Sequence, residues 1–198
     1  MKTTYPITLP TRQIHLDFHT SPLIPDVGKK FNGKQFAETL KKSHVNSVTC
    51  FARCHHGMLY YDSKLFPERV HPGLANKNLL KEMIEECHKV GIKVPIYTTV
   101  QWDHYTALEH PEWLSLDEHG AWIGQEPYQP GFYQTLCVNT GYRDFLKEHI
   151  KELFELFDVD GLFLDILYPV DCNCNVCRQK MKEAGVDVRN PKERIAYN

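Results

Sequence analysis

The chain has 198 residues, of which 42% are hydrophobic, and a formal net charge of −2. This is enough for one sizeable core, and the balanced charge, without a basic stripe, argues against a nucleic-acid-binding protein. No run approaches the roughly 18 apolar residues of a membrane span, and the amino-terminal residues lack the apolar stretch of a signal peptide. The seven cysteines, an odd number, fit reduced thiols better than a set of disulfides. We therefore expect a soluble, cytoplasmic protein.

Strand and helix patterns alternate along the chain. Short apolar or alternating segments predict four strands, at 13–18, 45–52, 92–100 and 160–167. Amphipathic segments predict four helices, at 31–44, 76–91, 141–159 and 177–187. A long insert, 101–140, separates the third strand from the third helix. This alternation predicts a parallel sheet covered by helices.

Both a doubly wound sheet and a (β/α)8 barrel of the TIM type fit this order. A closed barrel needs eight strands and typically about 250 residues, whereas the four predicted strands already extend to residue 167. If the fold is a barrel, residues 1–198 form one amino-terminal part of its catalytic domain, with only about the first four βα units. Polar residues at the strand ends favour a site at the carboxyl edge of the sheet in either fold.

The first candidate site residue lies inside an apolar run. In DGLFLDIL (160–167), Asp165 shares one face of the predicted strand with Gly161 and Phe163, which in a barrel points inward. Because burying an unpaired charge is costly, we expect this acid to project into the catalytic mouth at the strand end. A structural role, as a helix cap or as the partner of a buried arginine, stays open.

Polar side chains also mark the ends of the other predicted strands. His15, Asp17 and His19 share one face of the first strand and resemble a surface that binds hydroxyl groups, with a self-contained polar network as the alternative. His55 and His56 follow the second strand, and only one of them is expected to face the site unless the strand has already ended. Trp102 follows the third strand and could stack on a sugar ring or belong to the core.

The segment CNCNVC (172–177) contains three cysteines with C-x-C-x-x-C spacing. A structural zinc site needs four ligands, so Asp171, Cys137 or a missing segment would have to supply the fourth. We favour buried or idle thiols and assign no metal and no cofactor. Cys54 is not expected to be a nucleophile, because no orienting residue can be assigned to its neighbour His55.

These segments together resemble the amino-terminal half of an alpha-L-fucosidase-type barrel, from about residue 13 to residue 187. The similarity is to glycoside hydrolase family 29, and more closely to family 151 and its uncharacterised relatives. It rests on the order and spacing of several stretches, none decisive alone: FARCHHGMLYYDSK (51–64), HPEW (110–113), CVNTGYRDFL (137–146) and ELFELFDVDGLFLDIL (152–167).

The resemblance implies a retaining glycoside hydrolase for alpha-L-fucosides in which Asp165 is the nucleophile. It implies that His15 and His55 bind sugar hydroxyls, with His56 and Trp102 as weaker candidates. The chain departs from the family 29 pattern at the histidine pair, where Cys54 takes the first histidine position and His56 that of an acid, which puts the sugar in doubt. The general acid/base is implied to lie later in the barrel, outside this chain.

Two alternatives remain open at this point: another exo-glycosidase, such as a galactosidase, and a non-catalytic carbohydrate-binding or zinc-stabilised module. The expected partner is a carbohydrate, with no nucleic acid and no membrane. We also expect the chain alone to be inactive and to associate with its missing half or with another copy, because four parallel strands leave two open edges. Activity of the isolated chain would require an acid/base in the insert, such as Asp103 or Glu126.

Overall fold

The computed structural model describes residues 9–125, 129 and 133–197. This part of the chain contains four strands, β1 (Gln13–His15), β2 (Ser47–Arg53), β3 (Ile96–Thr99) and β4 (Leu162–Asp165). It also contains six α-helices: α1 (Gly33–Lys42), α2 (Leu79–Lys89), α3 (His104–Glu109), α4 (Tyr142–Leu156), α5 (Asn175–Glu183) and α6 (Pro191–Tyr197). Two short 3-10 helices, Pro67–Arg69 and Pro111–Trp113, complete the described elements.

Each predicted strand and helix is present and is shorter than the sequence pattern suggested, although β2 ends one residue later and α5 begins two residues earlier than expected. The largest difference is in β1, which was expected over 13–18 but pairs with β2 only as far as His15. The chain then leaves the sheet, so Asp17 and His19 lie on the loop that follows β1 rather than on its face. Glu126, a candidate acid of the insert, lies outside the described residues.

All four strands are parallel, in the order β1-β2-β3-β4. The sheet is strongly curled, because the rings of His15 on β1 and Phe163 on β4 lie 5.0 Å apart although two strands separate them. Strands in a sheet are about 4.8 Å apart, so in a flat sheet β1 and β4 would be separated by roughly 14 Å. The four βα units therefore form half of a barrel rather than an open, doubly wound sheet.

The two faces of this half-barrel have different partners. The outer face packs against helices α1 and α2, and it carries the apolar side chains Ile14, Val48, Cys50, Ile96 and Leu162. The concave face carries aromatic rings from successive strands, with Phe51 of β2 stacked on Tyr97 of β3 at 3.7 Å. Phe163 continues this row on β4, 5.8 Å from Tyr97. The predicted inward orientation of Phe163 is thus confirmed.

A β-bulge interrupts the pairing of β2 and β3. Phe51 pairs with Tyr97 and Arg53 pairs with Thr98, so one extra residue lies on β2. Without this bulge Arg53 would follow Phe51 onto the concave face; with it, Arg53 points to the helix side and donates to Thr98. The guanidinium is completely buried there and forms an ion pair with Asp103.

The described residues contain no helix that is both long and apolar enough to cross a membrane.

Candidate active site

Asp165 is the last residue of β4 and lies on the concave face beside Tyr97 of β3. The Tyr97 hydroxyl donates to Asp165 Oδ2 at 2.6 Å. Burial raises the pKa of Tyr97 above its ordinary value, so this hydroxyl keeps its proton and remains a donor. No described residue donates to the other carboxylate oxygen, Oδ1, and the side chain is 33% exposed. The carboxylate is therefore held at one oxygen, and its side chain is partly exposed.

The backbone ends β4 abruptly after Asp165. Ile166 has a φ of 54°, in the left-handed region that β-branched residues rarely adopt. Two hydrogen bonds from the end of β3 hold this turn, from Val100 N to Asp165 O at 2.8 Å and from Gln101 N to Ile166 O at 3.1 Å. The strained turn thereby places the acid at the carboxyl edge of the sheet, where barrel enzymes have their active sites.

His55 and His56 lie in a tight turn beyond the end of β2, so the opposite-face rule for a strand does not apply to them. Gly57 N donates to Cys54 O at 2.9 Å, and Gly57 adopts a φ of 83°. A Cβ at this position would lie 2.2 Å from Asp103 Oδ1, so only glycine fits. The first two backbone N–H groups of α3 donate to the carbonyls of His55 and His56, at 2.9 and 3.2 Å.

The ring of His55 has a defined tautomer. Its Nδ1 lies 2.9 Å from Thr99 Oγ1, and the Thr99 hydroxyl donates its single proton to the carbonyl of Trp102 at 2.8 Å. Thr99 must therefore accept from His55 Nδ1–H, which leaves Nε2 as an acceptor. This Nε2 lies 3.9 Å from Asp165 Oδ2, too far for a direct hydrogen bond.

Burial, and next the neighbouring His19, lower the pKa of His55 to about 3. His55 is therefore neutral at physiological pH, and its Nε2 can accept a hydrogen bond from a hydroxyl group. Burial likewise lowers the pKa of His56 to about 4. Two neutral imidazoles with a nearby carboxylate are suited to a polyhydroxylated ligand, which both donates and accepts hydrogen bonds.

The histidines of the first segment reach the same region in different ways. His15 lies on the concave face against the rings of Phe51, Tyr97 and Phe163, at 5.0 to 5.6 Å. His19 stacks on His55 with the ring centroids 3.9 Å apart, and its Nδ1 accepts from the His55 backbone N–H at 3.3 Å.

Asp17 lies between these two histidines in sequence but is directed mainly to solvent. Its side chain is 71% exposed, and its carboxylate lies 3.5 Å from His19 Nε2. The single polar face expected for the three residues does not form, because β1 ends at His15.

Two aromatic side chains, Trp102 and Tyr133, line one side of the site. The Trp102 ring meets His55 edge to face at 5.2 Å, and Tyr133 lies 5.7 Å from the rings of both His55 and His56. The structure thus brings His15, His19, His55, His56 and Trp102 to the region of Asp165.

Sequence reasoning did not identify Tyr97, Thr99 or Tyr133 as site residues. Tyr97 and Thr99 were detectable, because alternation along β3 places them on the face opposite Ile96, and Thr99 pairs with Asp165 in the parallel register. Tyr133 lies in the irregular insert, where no periodicity predicts the direction of a side chain.

Asp103 is not a suitable acid/base candidate. Its side chain is fully buried, forms an ion pair with Arg53 and lies 3.4 Å from Arg69 Nη1. It also accepts from the backbone N–H of Thr106 at 2.8 Å and so caps α3. The carboxylate has a structural role in joining the loops after β2 and β3.

Of the three possible sources of a fourth ligand for the CNCNVC cysteines, the structure places Cys137 beside them. Cys137 of the insert packs against Cys172, Cys174 and Cys177, and the four sulfur atoms lie within 4.8 Å of one another. The sequence could name Cys137 only as one of several possibilities, because helix α4 and strand β4 separate it from the other three residues along the chain.

The protein family described as Hypothetical glycosyl hydrolase 6 matches residues 32–166. Among solved structures, alpha-L-fucosidase isoenzyme 2 from Paenibacillus thiaminolyticus superimposes with a TM-score of 0.86 at 41% sequence identity. The match covers 96% of this chain and 28% of that enzyme. A comparison with curated protein sequences found no significant match.

Two more distant structures share the fold. The alpha-fucosidase of Thermotoga maritima in complex with fucose has a TM-score of 0.51 at 18% identity, over 71% of this chain and 30% of that one. A maltogenic alpha-amylase from Thermotoga neapolitana has a TM-score of 0.52 at 19% identity, over 88% and 43% of the two chains. The four units described above thus correspond to the amino-terminal part of a (β/α)8 barrel, and the chain spans less than a third of the fucosidases.

Proposed function

Since the chain belongs to the glycosyl hydrolase family described as Hypothetical glycosyl hydrolase 6, we propose that it is the amino-terminal part of a retaining glycoside hydrolase for alpha-L-fucosides. The main support is the position of Asp165, an accessible carboxylate at the carboxyl end of an inner barrel strand. The 41% identity to an alpha-L-fucosidase adds support for the sugar.

In this proposal Asp165 is the nucleophile. Its Oδ1 attacks the anomeric carbon as the bond to the leaving-group oxygen breaks, which forms a covalent glycosyl-enzyme intermediate that water then hydrolyses. Tyr97 positions the carboxylate through its hydrogen bond to Oδ2. The acid/base that protonates the leaving group and later activates water comes from a segment outside this chain.

Sugar hydroxyls are proposed to bind the histidines around Asp165. His55 Nε2, which lies 3.9 Å from Asp165 Oδ2, accepts from one hydroxyl of the sugar that Asp165 attacks. His15, His19, His56 and Asp17 supply further polar contacts. Trp102 offers an aromatic surface to the apolar face of the ring.

A chimaeric enzyme tests this function without requiring the isolated chain to be active. This chain replaces the matching 28% of the Paenibacillus thiaminolyticus fucosidase, and hydrolysis of aryl alpha-L-fucosides is measured. We expect turnover, loss of kcat by several orders of magnitude in Asp165→Gly, and partial rescue of that variant by azide. Asp158→Gly is the matched control, because Asp158 is 92% exposed and precedes β4.

The outcomes separate the alternatives. Activity of Asp165→Gly within a few-fold of the parent chimaera would contradict the nucleophile assignment. Hydrolysis of galactosides in preference to fucosides would support another exo-glycosidase. That function is the second candidate because the histidine pair differs from the family 29 pattern, with Cys54 in the first position. A folded chimaera that binds sugar without hydrolysis would support the non-catalytic module.

A further inference from the structure

Four buried cysteine side chains form a cluster beside the barrel. Cys137 comes from the end of the insert, and Cys172, Cys174 and Cys177 come from the segment that leads from β4 into α5. All four are at most 4% exposed. We propose that they bind one structural zinc ion.

The sulfur positions agree with tetrahedral coordination. A Zn–S distance of about 2.3 Å places the sulfur atoms of a tetrahedral site about 3.8 Å apart. Here Cys137 Sγ lies 3.4 Å from Cys177 Sγ and 3.8 Å from Cys174 Sγ, and all four sulfur atoms are within 4.8 Å of one another. These two separations are well beyond the roughly 2.05 Å of a disulfide bond.

The donor set favours zinc and a structural role for the site. Four thiolates in a tetrahedral arrangement suit zinc, a d10 ion that has no redox chemistry. A site with four cysteine ligands leaves no open coordination position for a substrate. The site is therefore structural rather than catalytic.

The surroundings of the cluster also favour bound thiolates. Asn139 Nδ2 donates to Cys177 Sγ at 3.4 Å, and Lys180 Nζ donates to Asn139 Oδ1 at 2.9 Å, which brings a cation close to the thiolates. Cys174 is the N-cap of α5 and Cys177 lies in its first turn, where the helix dipole stabilises negative charge.

The metal would stabilise a part of the molecule with little hydrophobic core. Apart from the four cysteines, Met181 is the one buried apolar side chain that the described structure places in this cluster, with Leu116, Val170, Val186 and Val188 only partly buried against it. Zinc would join the insert to the segment after β4 in place of that core. The loop 166–171 is then held at two points. Gln101 binds Tyr168 through two hydrogen bonds of 2.8 and 3.1 Å, and Cys172, directly after the loop, binds the zinc ion.

Metal content tests the site independently of any hydrolytic activity. Protein purified from zinc-supplemented medium should contain about one zinc per chain after dialysis by elemental analysis. After removal of the metal with a chelator and a reductant, titration with Co²⁺ should give thiolate charge-transfer bands and the visible bands of tetrahedral cobalt. Cys137→Ser should lose most of the zinc, whereas Cys87→Ser, which changes a buried thiol of the helix–sheet core, should keep it.

Three results would overturn the proposal. The first is wild-type protein that neither retains zinc nor binds Co²⁺. The second is stoichiometric iron in place of zinc. The third is a thiol titration in denaturant, without reductant, that gives three free thiols instead of all seven cysteines of the chain, since the four clustered cysteines would then be paired as disulfides. Because the Co²⁺ titration uses the wild-type sequence, a Cys137→Ser variant that fails to fold does not affect the test.

Discussion

Single atoms define what the site can bind. Asp165 has one oxygen held by Tyr97 and one without a described donor, while Thr99 determines which nitrogen of His55 carries the proton. The lowered pKa of His55 keeps its Nε2 an acceptor throughout the physiological range. Tyr97 and Thr99 thus leave a carboxylate oxygen and an imidazole nitrogen as two neighbouring acceptors for the hydroxyl groups of a ligand.

Two substitutions of His55 separate ligand binding from local structure. In the chimaera, His55→Asn keeps a donor to Thr99 but lacks Nε2, so it should fold normally and lose about 1 kcal/mol, or roughly fivefold, in fucose affinity. His55→Gln places an amide near Nε2 but loses the Thr99 contact, so it should bind sugar better than His55→Asn and melt earlier. Calorimetric titration with fucose and thermal denaturation measure the two effects.

The pH dependence of the same titration checks the protonation state. The contribution of His55, measured as the difference in affinity between the wild type and His55→Asn, should stay constant from pH 8 to about 5, since His55 takes up a proton only near its pKa of about 3. Equal affinities of the two variants, or a loss of the difference between the wild type and His55→Asn centred on the ordinary histidine pKa of 6.5, would contradict the assigned role of Nε2.

At the level of secondary-structure elements, buried polar contacts hold the loops that carry the site. The bulge in β2 turns Arg53 toward the helices, where Asp103 joins it to the N-terminus of α3. Glu152 of α4 does the same for the segment after β2, accepting from the Tyr61 hydroxyl at 2.8 Å and the Ser63 hydroxyl at 2.7 Å. The loops after β2 and β3 are thus attached to helices rather than left to solvent.

Removal of the charge of Asp103 should therefore be strongly destabilising. Asp103→Asn leaves the buried Arg53 guanidinium without its counterion, and we expect a loss of about 3–5 kcal/mol in the free energy of unfolding. The control Glu85→Gln breaks an exposed ion pair with Lys81 in α2 and should cost no more than about 0.5 kcal/mol. Urea denaturation of the two variants provides the comparison; equal stabilities would show that the buried pair contributes little.

On the scale of the whole molecule, the half-barrel has two open edges. Within the described residues β1 and β4 each pair with a single neighbour. The β4 edge also exposes apolar side chains that a further βα unit would cover, with Phe163 and Leu164 both 43% exposed and Leu167 62% exposed. Unpaired backbone groups beside exposed apolar surface favour association with another chain.

We therefore expect residues 1–198, expressed alone, to associate and to be inactive. Light scattering should give a mass above that of the 23.1 kDa chain, and aryl alpha-L-fucosides should not be hydrolysed, because the proposed acid/base belongs to the other half of the barrel. Addition of the complementary part of the barrel should reduce self-association. A soluble monomer with turnover would contradict this prediction and would require an acid/base other than the buried Asp103.

The amino-acid sequence by itself determined the parallel βα order, the four strands and the inward position of Asp165, because hydrophobic periodicity and strand alternation are local properties of the chain. It also singled out the histidines and Trp102, since they lie on or just after strands whose carboxyl ends meet at one edge. Only the tertiary structure decided the bulge that moves Arg53 off the concave face, the Tyr97 contact with Asp165 and the addition of Cys137 to the cysteine cluster. Each of these depends on residues far apart along the chain, brought together by the curl of the sheet and the path of the insert, which no local pattern encodes.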